Sequence, residues 1–599
     1  MEARGRVGPP AAWHRADLRA YAGVLGQGAL PGQRLQTDRE EQEVLHRIFL
    51  REGEPVDHPE ELEGQPARSR HQPLRPALGQ ARQALVLVRL RQVHPQQVIM
   101  QPRPVVIATF NARFAHASGA LRCLQANWTG PRPLVLVEGT LEDDPVRFAE
   151  RLLAESPALV AFSVYLWNVR LTEHTVRVLR RVRPDLPVIA GGPEMATDQT
   201  GPELAHLVDL AVVGEADLAF GQLCEDVLAS SSGVRRPAAV LPPPDLSQVR
   251  LPVDAFTDLD LAHRVCTVET SRGCPMRCAF CTAAGTGVRR FPTDRVLAQL
   301  EALWDRGLRR FKFLDRSIHH GDFEPVLDFF LERTDPVFVH FELTPHRLST
   351  ALAFRLAEFP PGSLQLEIGV QTLDHEVSGT IGRPFSNVIE ETLDFCVNQT
   401  DAHVHADLIA GLPGETLESF AAGFDQLHSL GVHEIQLGIL KRLRGTSLCG
   451  LMPAGQFNPE PPYDVLFTDT MSFEDMQRLK RMGRYWDLVA NSGSFRETLS
   501  LLLRDSAFHS FLTFSDHLFS TARRTHGIEL NRLSEYLCDF LCDVAGCPKP
   551  DVLAALEADY LRCGRTSRPA FMQKSGARTP PPPSKPPGSP RPPRQRRHN

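Results

Sequence analysis

The sequence predicts an α/β protein: a doubly wound, flavodoxin-like domain, then a partial (β/α)6 barrel, then a mostly helical C-terminal region. Three observations predict this. Apolar runs and helical stretches alternate between about residues 103 and 232. A second alternating series runs from about 264 to 440. Three closely spaced cysteines follow the first strand of that second series directly, on the face where barrel enzymes build their sites.

Residues 1–100 are rich in Arg, Gln, Pro and Gly and show no sustained periodicity. They read either as an over-extended gene model, with translation starting at Met100, or as a disordered arm. Strand-like runs then occur at 104–110, 134–138, 158–166, 187–191 and 209–213, so a doubly wound domain is expected over 101–235. Parallel sheets of this kind bind ligands beyond the carboxyl ends of their strands. Those ends carry Asn111, Ser163, Gly191-Gly192-Pro193-Glu194 and Gly214-Glu215. A linker is expected over 236–263. Barrel strands follow near 266–270, 310–315, 337–342, 364–370, 403–409 and 432–438, with helices between them, which sets the barrel at 264–440. Residues 441–563 are helical in pattern, and 564–599 form a Pro/Arg-rich, solvated tail.

Composition narrows the class. A length of 599 residues allows several domains. A formal charge of −6 argues against a nucleic-acid binder driven by bulk positive charge. No apolar run reaches the length of a membrane span, and no secretory leader is evident. Twelve cysteines without such a leader fit a reducing cytoplasm better than a disulfide scaffold.

The chemistry is expected at Ser271-Arg272-Gly273-Cys274-Pro275-Met276-Arg277-Cys278-Ala279-Phe280-Cys281. Three thiolates on one short loop can hold three irons of a cubane cluster and leave the fourth open to a small molecule. A structural zinc site is the bland alternative. Zinc usually takes four ligands in paired groups, and no second pair lies nearby.

This spacing resembles that of the radical S-adenosylmethionine (radical SAM) superfamily. The resemblance implies that Cys274, Cys278 and Cys281 hold a [4Fe–4S] cluster and that Phe280 packs near the adenine of S-adenosylmethionine. It implies reductive cleavage to a 5′-deoxyadenosyl radical that abstracts a substrate hydrogen. Glu367-Ile368-Gly369-Val370-Gln371 resembles the family's fourth-strand motif, and Asp407-Leu408-Ile409-Ala410-Gly411-Leu412-Pro413 its fifth. Phe341-Glu342-Leu343-Thr344 is similar to the end of the third strand. The resemblance therefore implies cofactor contacts at Glu342, Glu367, Gln371 and Gly411. Where many members carry Gly-Gly-Glu for the methionine amine, this chain has Leu314-Asp315-Arg316, so Asp315 is the expected substitute.

The upstream domain resembles the cobalamin-binding domain of one radical SAM subclass. His116, Gly119, Ser163, Gly191 and Gly192 fall at the positions of its motif. The aspartate that would orient the histidine is replaced by Phe114. An imidazole ligand normally needs such a partner, so the resemblance implies cobalamin binding more firmly than cobalt ligation by His116. Residues 439–446 and 461–466 resemble a C-terminal domain of unknown function found in one branch of the subclass. Cys538, Cys542, Cys547 and Cys563 interleave with apolar residues and read as buried structural thiols, an auxiliary cluster being the rival. The function expected is methyl transfer to an unactivated carbon with cobalamin as carrier. The rivals are a cobalamin-independent radical oxidation or rearrangement and a non-catalytic sensor. A flavodoxin or ferredoxin reductant is implied as partner; neither a membrane nor a nucleic acid is.

Overall fold

The computed structural model describes residues 102–196, 203–230, 236–346, 348–383, 388–564 and 569. The expectations for 1–100 and for most of the tail lie outside the described residues. Strands β1 (Val105–Asn111), β2 (Leu134–Thr140), β3 (Leu159–Ser163), β4 (Val188–Gly191), β5 (Leu210–Val213) and β6 (Ala239–Val240) form the first sheet, in the order β2-β1-β3-β4-β5-β6. Every pairing is parallel. Helices cover both faces, so β1 and β3 are buried at every position, which explains their unbroken apolar runs. The expected linker departs from expectation at β6. This two-residue strand pairs with β5 between proline-rich flanks, too short for a periodic signal.

The second sheet contains β7 (Cys266–Val268), then a two-stranded ribbon of β8 (Ser271–Arg272) and β9 (Arg289–Arg290) branches off. The barrel resumes with β10 (Arg310–Phe313), β11 (Phe338–Leu343), β12 (Leu364–Gln371), β13 (His403–Ala410) and β14 (Glu434–Ile439). Its order is β14-β13-β12-β11-β10-β7, parallel throughout, and β7 and β14 do not pair. The barrel is therefore open, as the six strand–helix units predict.

The C-terminal helices are part of the barrel's core. Trp486 contacts Phe424 of the barrel helix Leu417–Ser429 (ring centroids 4.8 Å) and Phe511 of the helix Ala507–Ala522 (4.9 Å). Each such pair contributes roughly 0.5–1.5 kcal/mol beyond its buried area. Cys538 and Cys547 are buried in the same core. The first sheet meets the barrel through a buried ion network. Arg122 donates to Glu138 at 2.9 Å and to Asp260 at 2.7 Å, and Arg264 donates to Glu138 at 2.7 Å. Asn111 and the Ser118 N–H also donate to Glu138. Buried charges persist only when satisfied in this way.

Candidate functional site

The β8–β9 ribbon closes the base of loop 273–288, which carries the three cysteines. Gly273 enters it at φ +96°, and a Cβ there would stand 1.8 Å from the Gly287 carbonyl. Only glycine permits this turn. Inside the loop, the Cys281 N–H donates to the Cys278 carbonyl at 3.1 Å, Cys274 N–H to Thr286 Oγ1 at 3.2 Å and Gly285 N–H to the Met276 carbonyl at 2.7 Å. The Ala279 N–H donates to the Ile381 carbonyl at 2.8 Å, and Leu448 N–H to the Ala279 carbonyl at 2.9 Å. The loop is thus held by the fourth barrel unit and by the C-terminal region together.

Cys274, Cys278 and Cys281 all line one wall of a cavity of about 150 Å³. Cys274 and Cys278 are buried and Cys281 is half-buried. Among the described residues no three His, Cys, Asp or Glu converge on a single ion.

The strand ends supply the other walls. Glu342 lies on β11, Glu367 and Gln371 on β12, and Asp407 on β13; all four line the cavity, as does Phe280. Burial pushes the Glu342 carboxyl up to about 7. Glu367 behaves oppositely. Burial alone would raise it, but a hydrogen bond from His340 at 2.9 Å, with Lys312 at 3.9 Å, holds it at about 2. Asp407 is raised by burial, against the opposing pull of His405 at 3.3 Å. A register shift between Gly369 and Gln371, with Gln371 at φ +73°, re-aims β12 at this point.

Two expected residues lie elsewhere. Asp315 is turned away from the cavity. Its carboxylate accepts from Thr270 N–H at 2.9 Å, Thr270 Oγ1 at 2.7 Å and Ser271 Oγ at 2.6 Å, which splints β10 to the cysteine loop. Its neighbour Arg316 lines the cavity instead. Gly411 (φ +86°) is packed by the C-terminal region, and a Cβ would lie 2.6 Å from Val465 Cγ1. Thr344 and Arg316 stand in the quoted motifs without a role of their own, and Arg383 carries no sequence signal; all three line the cavity. Arg383 is buried, lines the cavity, donates to the Gly369 carbonyl and stands 3.5 Å from Cys278 Sγ. It lies on a loop, where neither periodicity nor spacing marks it.

In the first sheet Ser163 and Gly191 are register partners at the carboxyl ends of β3 and β4. Gly192 follows in contact with Val164. Gly119 opens the helix Gly119–Ala126 against Thr267 of the barrel. His116 is half-buried and forms a parallel bridge to Val265, at the seam with the barrel. Phe114 is 53% exposed with the Arg264 guanidinium 4.4 Å above its ring. A second ion network links this sheet to the cysteine loop. Arg272 donates to Glu215 at 2.8 Å, to Asp217 at 2.8 and 3.1 Å, and to Glu269 at 2.6 Å. Glu194, beyond Gly191-Gly192, accepts from Arg444 Nε at 3.1 Å and from the Tyr463 hydroxyl at 2.8 Å.

Comparison with known proteins agrees with this architecture. Residues 136–224 match the B12 binding domain, 268–427 the radical SAM superfamily and 455–579 a protein family of unknown function, DUF4080. A B12 binding domain followed by a radical SAM barrel defines the class. With DUF4080 after them, the chain carries these three domains in the order B12 binding, radical SAM, DUF4080. It is 24% identical over 457 residues to the cobalamin-dependent radical SAM methyltransferase TokK of Streptomyces tokunonensis, covering 68% of this chain and 63% of the relative. It is 26% identical over 318 residues to a 2-(S-pantetheinyl)-carbapenam-3-carboxylate methyltransferase of Streptantibioticus cattleyicolor, covering 46% of each. The chain thus spans about half to three-fifths of the length of these curated relatives. The solved structure of the cobalamin-dependent S-adenosylmethionine radical enzyme OxsB with aqua-cobalamin shares the fold, with a TM-score of 0.52 at 12% identity, covering 77% of this chain and 79% of that one.

Proposed function

We propose that this chain is a radical SAM enzyme that uses cobalamin as methyl carrier to methylate an unactivated carbon. One observation carries the reading. Three cluster-spaced cysteines open onto a cavity walled by carboxylates and guanidinium groups, and a B12-type sheet is ion-paired to the same loop. When bound, the [4Fe–4S] cluster and S-adenosylmethionine supply one-electron cleavage and hydrogen abstraction, and cobalamin supplies methyl transfer.

The chain's own residues divide the remaining work. Cys274, Cys278 and Cys281 would hold three irons of the cluster and leave the fourth for the amino-acid end of S-adenosylmethionine. Arg383 and Arg316 offer guanidinium donors to its carboxylate. Glu342 takes over the ammonium role expected of Asp315, because Asp315 is spent on Thr270 and Ser271. Gln371 and Glu367, on the cavity wall, would contact the ribose, and Phe280 would pack against the adenine. Ser163, Gly191 and Gly192 receive the cobalamin tail at the strand ends, with His116 and Gly119 at the seam. Arg272 fixes the corrin-bearing sheet against the cluster loop.

All twelve cysteines are free, and no helix among the described residues is long and apolar enough to cross a membrane. A reducing cytoplasm and a flavodoxin- or ferredoxin-type electron donor complete the proposal. The test is anaerobic reconstitution with iron, sulfide and hydroxocobalamin, then dithionite-driven formation of 5′-deoxyadenosine beside a Cys278→Ala control. Cleavage with a bound-corrin spectrum supports the reading. Cleavage without corrin moves it to a cobalamin-independent radical enzyme, and a loaded cluster without cleavage moves it to a sensor.

A further inference from the structure

One guanidinium of the cavity wall reaches a cluster cysteine directly. Arg383 follows the short helix His375–Thr380, and before it Gly382 turns at φ +66°. A Cβ on Gly382 would stand 2.8 Å from the Arg277 carbonyl, so glycine is what lets this turn lie so close to the cysteine loop. The Ile381 carbonyl accepts from Ala279 N–H of that loop at 2.8 Å. Arg383 N–H donates to the Ser378 carbonyl at 2.9 Å, and Ser378 Oγ donates to the Arg383 carbonyl at 2.6 Å. The backbone that carries Arg383 is therefore fixed against the backbone that carries the cysteines.

The side chain is fixed as well. Nη2 donates to the Gly369 carbonyl, at the register shift where a bulge disrupts the ladder between β12 and β13. Nη1 donates to Cys278 Sγ at 3.5 Å. Among the described residues no other side chain donates to a sulfur of Cys274, Cys278 or Cys281. Arg383 is only 9% exposed. A guanidinium keeps its proton, and a buried one persists beside negative charge and well-placed acceptors. A neutral thiol is a weak acceptor, whereas a thiolate bearing iron is a strong one for a cationic donor.

A cluster held by three thiolates becomes more negative when it takes up an electron. A fixed cation bonded to one of those sulfurs stabilises the reduced form more than the oxidised form, and so raises the reduction potential. Burial in a low dielectric strengthens the effect. We propose that Arg383 is a tuning residue, whose N–H···S bond to Cys278 raises the potential of the cluster towards that of its electron donor. The step it governs is transfer of one electron from the flavodoxin- or ferredoxin-type donor to the oxidised cluster. No bond forms or breaks in that step, and no proton moves. The inference rests on the cluster reading of the three cysteines given above, and not on methyl transfer or on cobalamin. Each Nη keeps a second N–H for the carboxylate of S-adenosylmethionine, so the two roles are compatible.

The experiment is a redox titration of the anaerobically reconstituted holoprotein with dithionite and mediator dyes, in the absence of S-adenosylmethionine. The electron paramagnetic resonance of the reduced cluster reads the midpoint. Arg383→Met removes both charge and donor, and Arg383→Gln keeps a neutral donor. The expected result is a lower midpoint in both variants at wild-type iron content, with Arg383→Met shifted further. At a fixed potential Arg383→Met should lose at least tenfold in the ratio of reduced to oxidised cluster, about 59 mV for a one-electron couple. An unmoved or raised midpoint in Arg383→Met overturns the proposal. If that variant also binds S-adenosylmethionine more weakly, Arg383 serves the cofactor alone. Should the variants fail to load iron, wild-type protein grown on 15N-guanidinium arginine decides. A 15N coupling to the reduced cluster in pulsed resonance is then expected, and its absence overturns the proposal. A wild-type protein that binds no iron sinks the cluster reading and this inference together. A loaded cluster with an unmoved midpoint sinks this inference alone.

Discussion

The cysteine loop depends on single residues whose replacement has a legible cost. A Gly273→Ala change forces a side chain into a positive-φ turn, about 1–2 kcal/mol, and drives it into the Gly287 carbonyl. The loop must shift, so reconstituted iron content should fall well below wild type while the helical circular dichroism stays. Arg122→Met leaves the buried carboxylates of Glu138 and Asp260 to share Arg264 and should lower the unfolding midpoint. Glu138 gives the matching pH test. Burial would raise its carboxyl, but Arg122, Asn111 and the Ser118 N–H lower it to about 2 from an ordinary 4.5. Its folded pKa is depressed, so its stabilisation is present above about pH 4.5 and is lost as pH falls towards 2, about 3 kcal/mol in all. The stability gap between wild type and Glu138→Gln should be level above pH 5 and shrink below it; a gap that widens on acidification contradicts the network. The cysteine spacing was legible directly, and Phe280, Glu342, Glu367 and Gln371, which line the same cavity, came from the resemblance of their motifs to the family's. Asp315 was misassigned because spacing cannot say which of two neighbours, Asp315 or Arg316, points into the cavity.

At the scale of elements, the strands of both sheets were legible for a physical reason. Parallel strands buried on both faces are unbroken apolar runs, and β1 and β3 show that pattern directly. Elements without such a run were not. The strand β6 is two residues long, and the β8–β9 ribbon is built from Ser271-Arg272 and Arg289-Arg290, polar residues whose role is to close a loop. That ribbon is also where Arg272 meets Glu215, Asp217 and Glu269. Arg272→Met should loosen the link between the first sheet and the cysteine loop without touching a cluster ligand. Iron content should survive, while the magnetic coupling between reduced cluster and cob(II)alamin weakens or spreads over a range of distances. Unchanged coupling would mean that the network is only structural.

For the whole molecule, one apolar core runs from the linker through the barrel into the C-terminal helices, from Phe256 to Phe424 to Phe511. Sequence patterning marked 441–563 as a separate helical region. It does not show that Trp486 is shared with Phe424, because packing between distant elements leaves no local period. A chain cut at residue 440 should therefore expose this face and aggregate. The central claim is that one chain brings an iron–sulfur cluster and a corrin to the same cavity. The most direct measurement is iron, sulfide and corrin content with the electron paramagnetic resonance of the anaerobically loaded protein. About four irons per chain, one corrin, and a reduced-cluster signal that changes on adding S-adenosylmethionine are expected. A loaded protein with no bound corrin, or a cluster signal indifferent to S-adenosylmethionine, would contradict it.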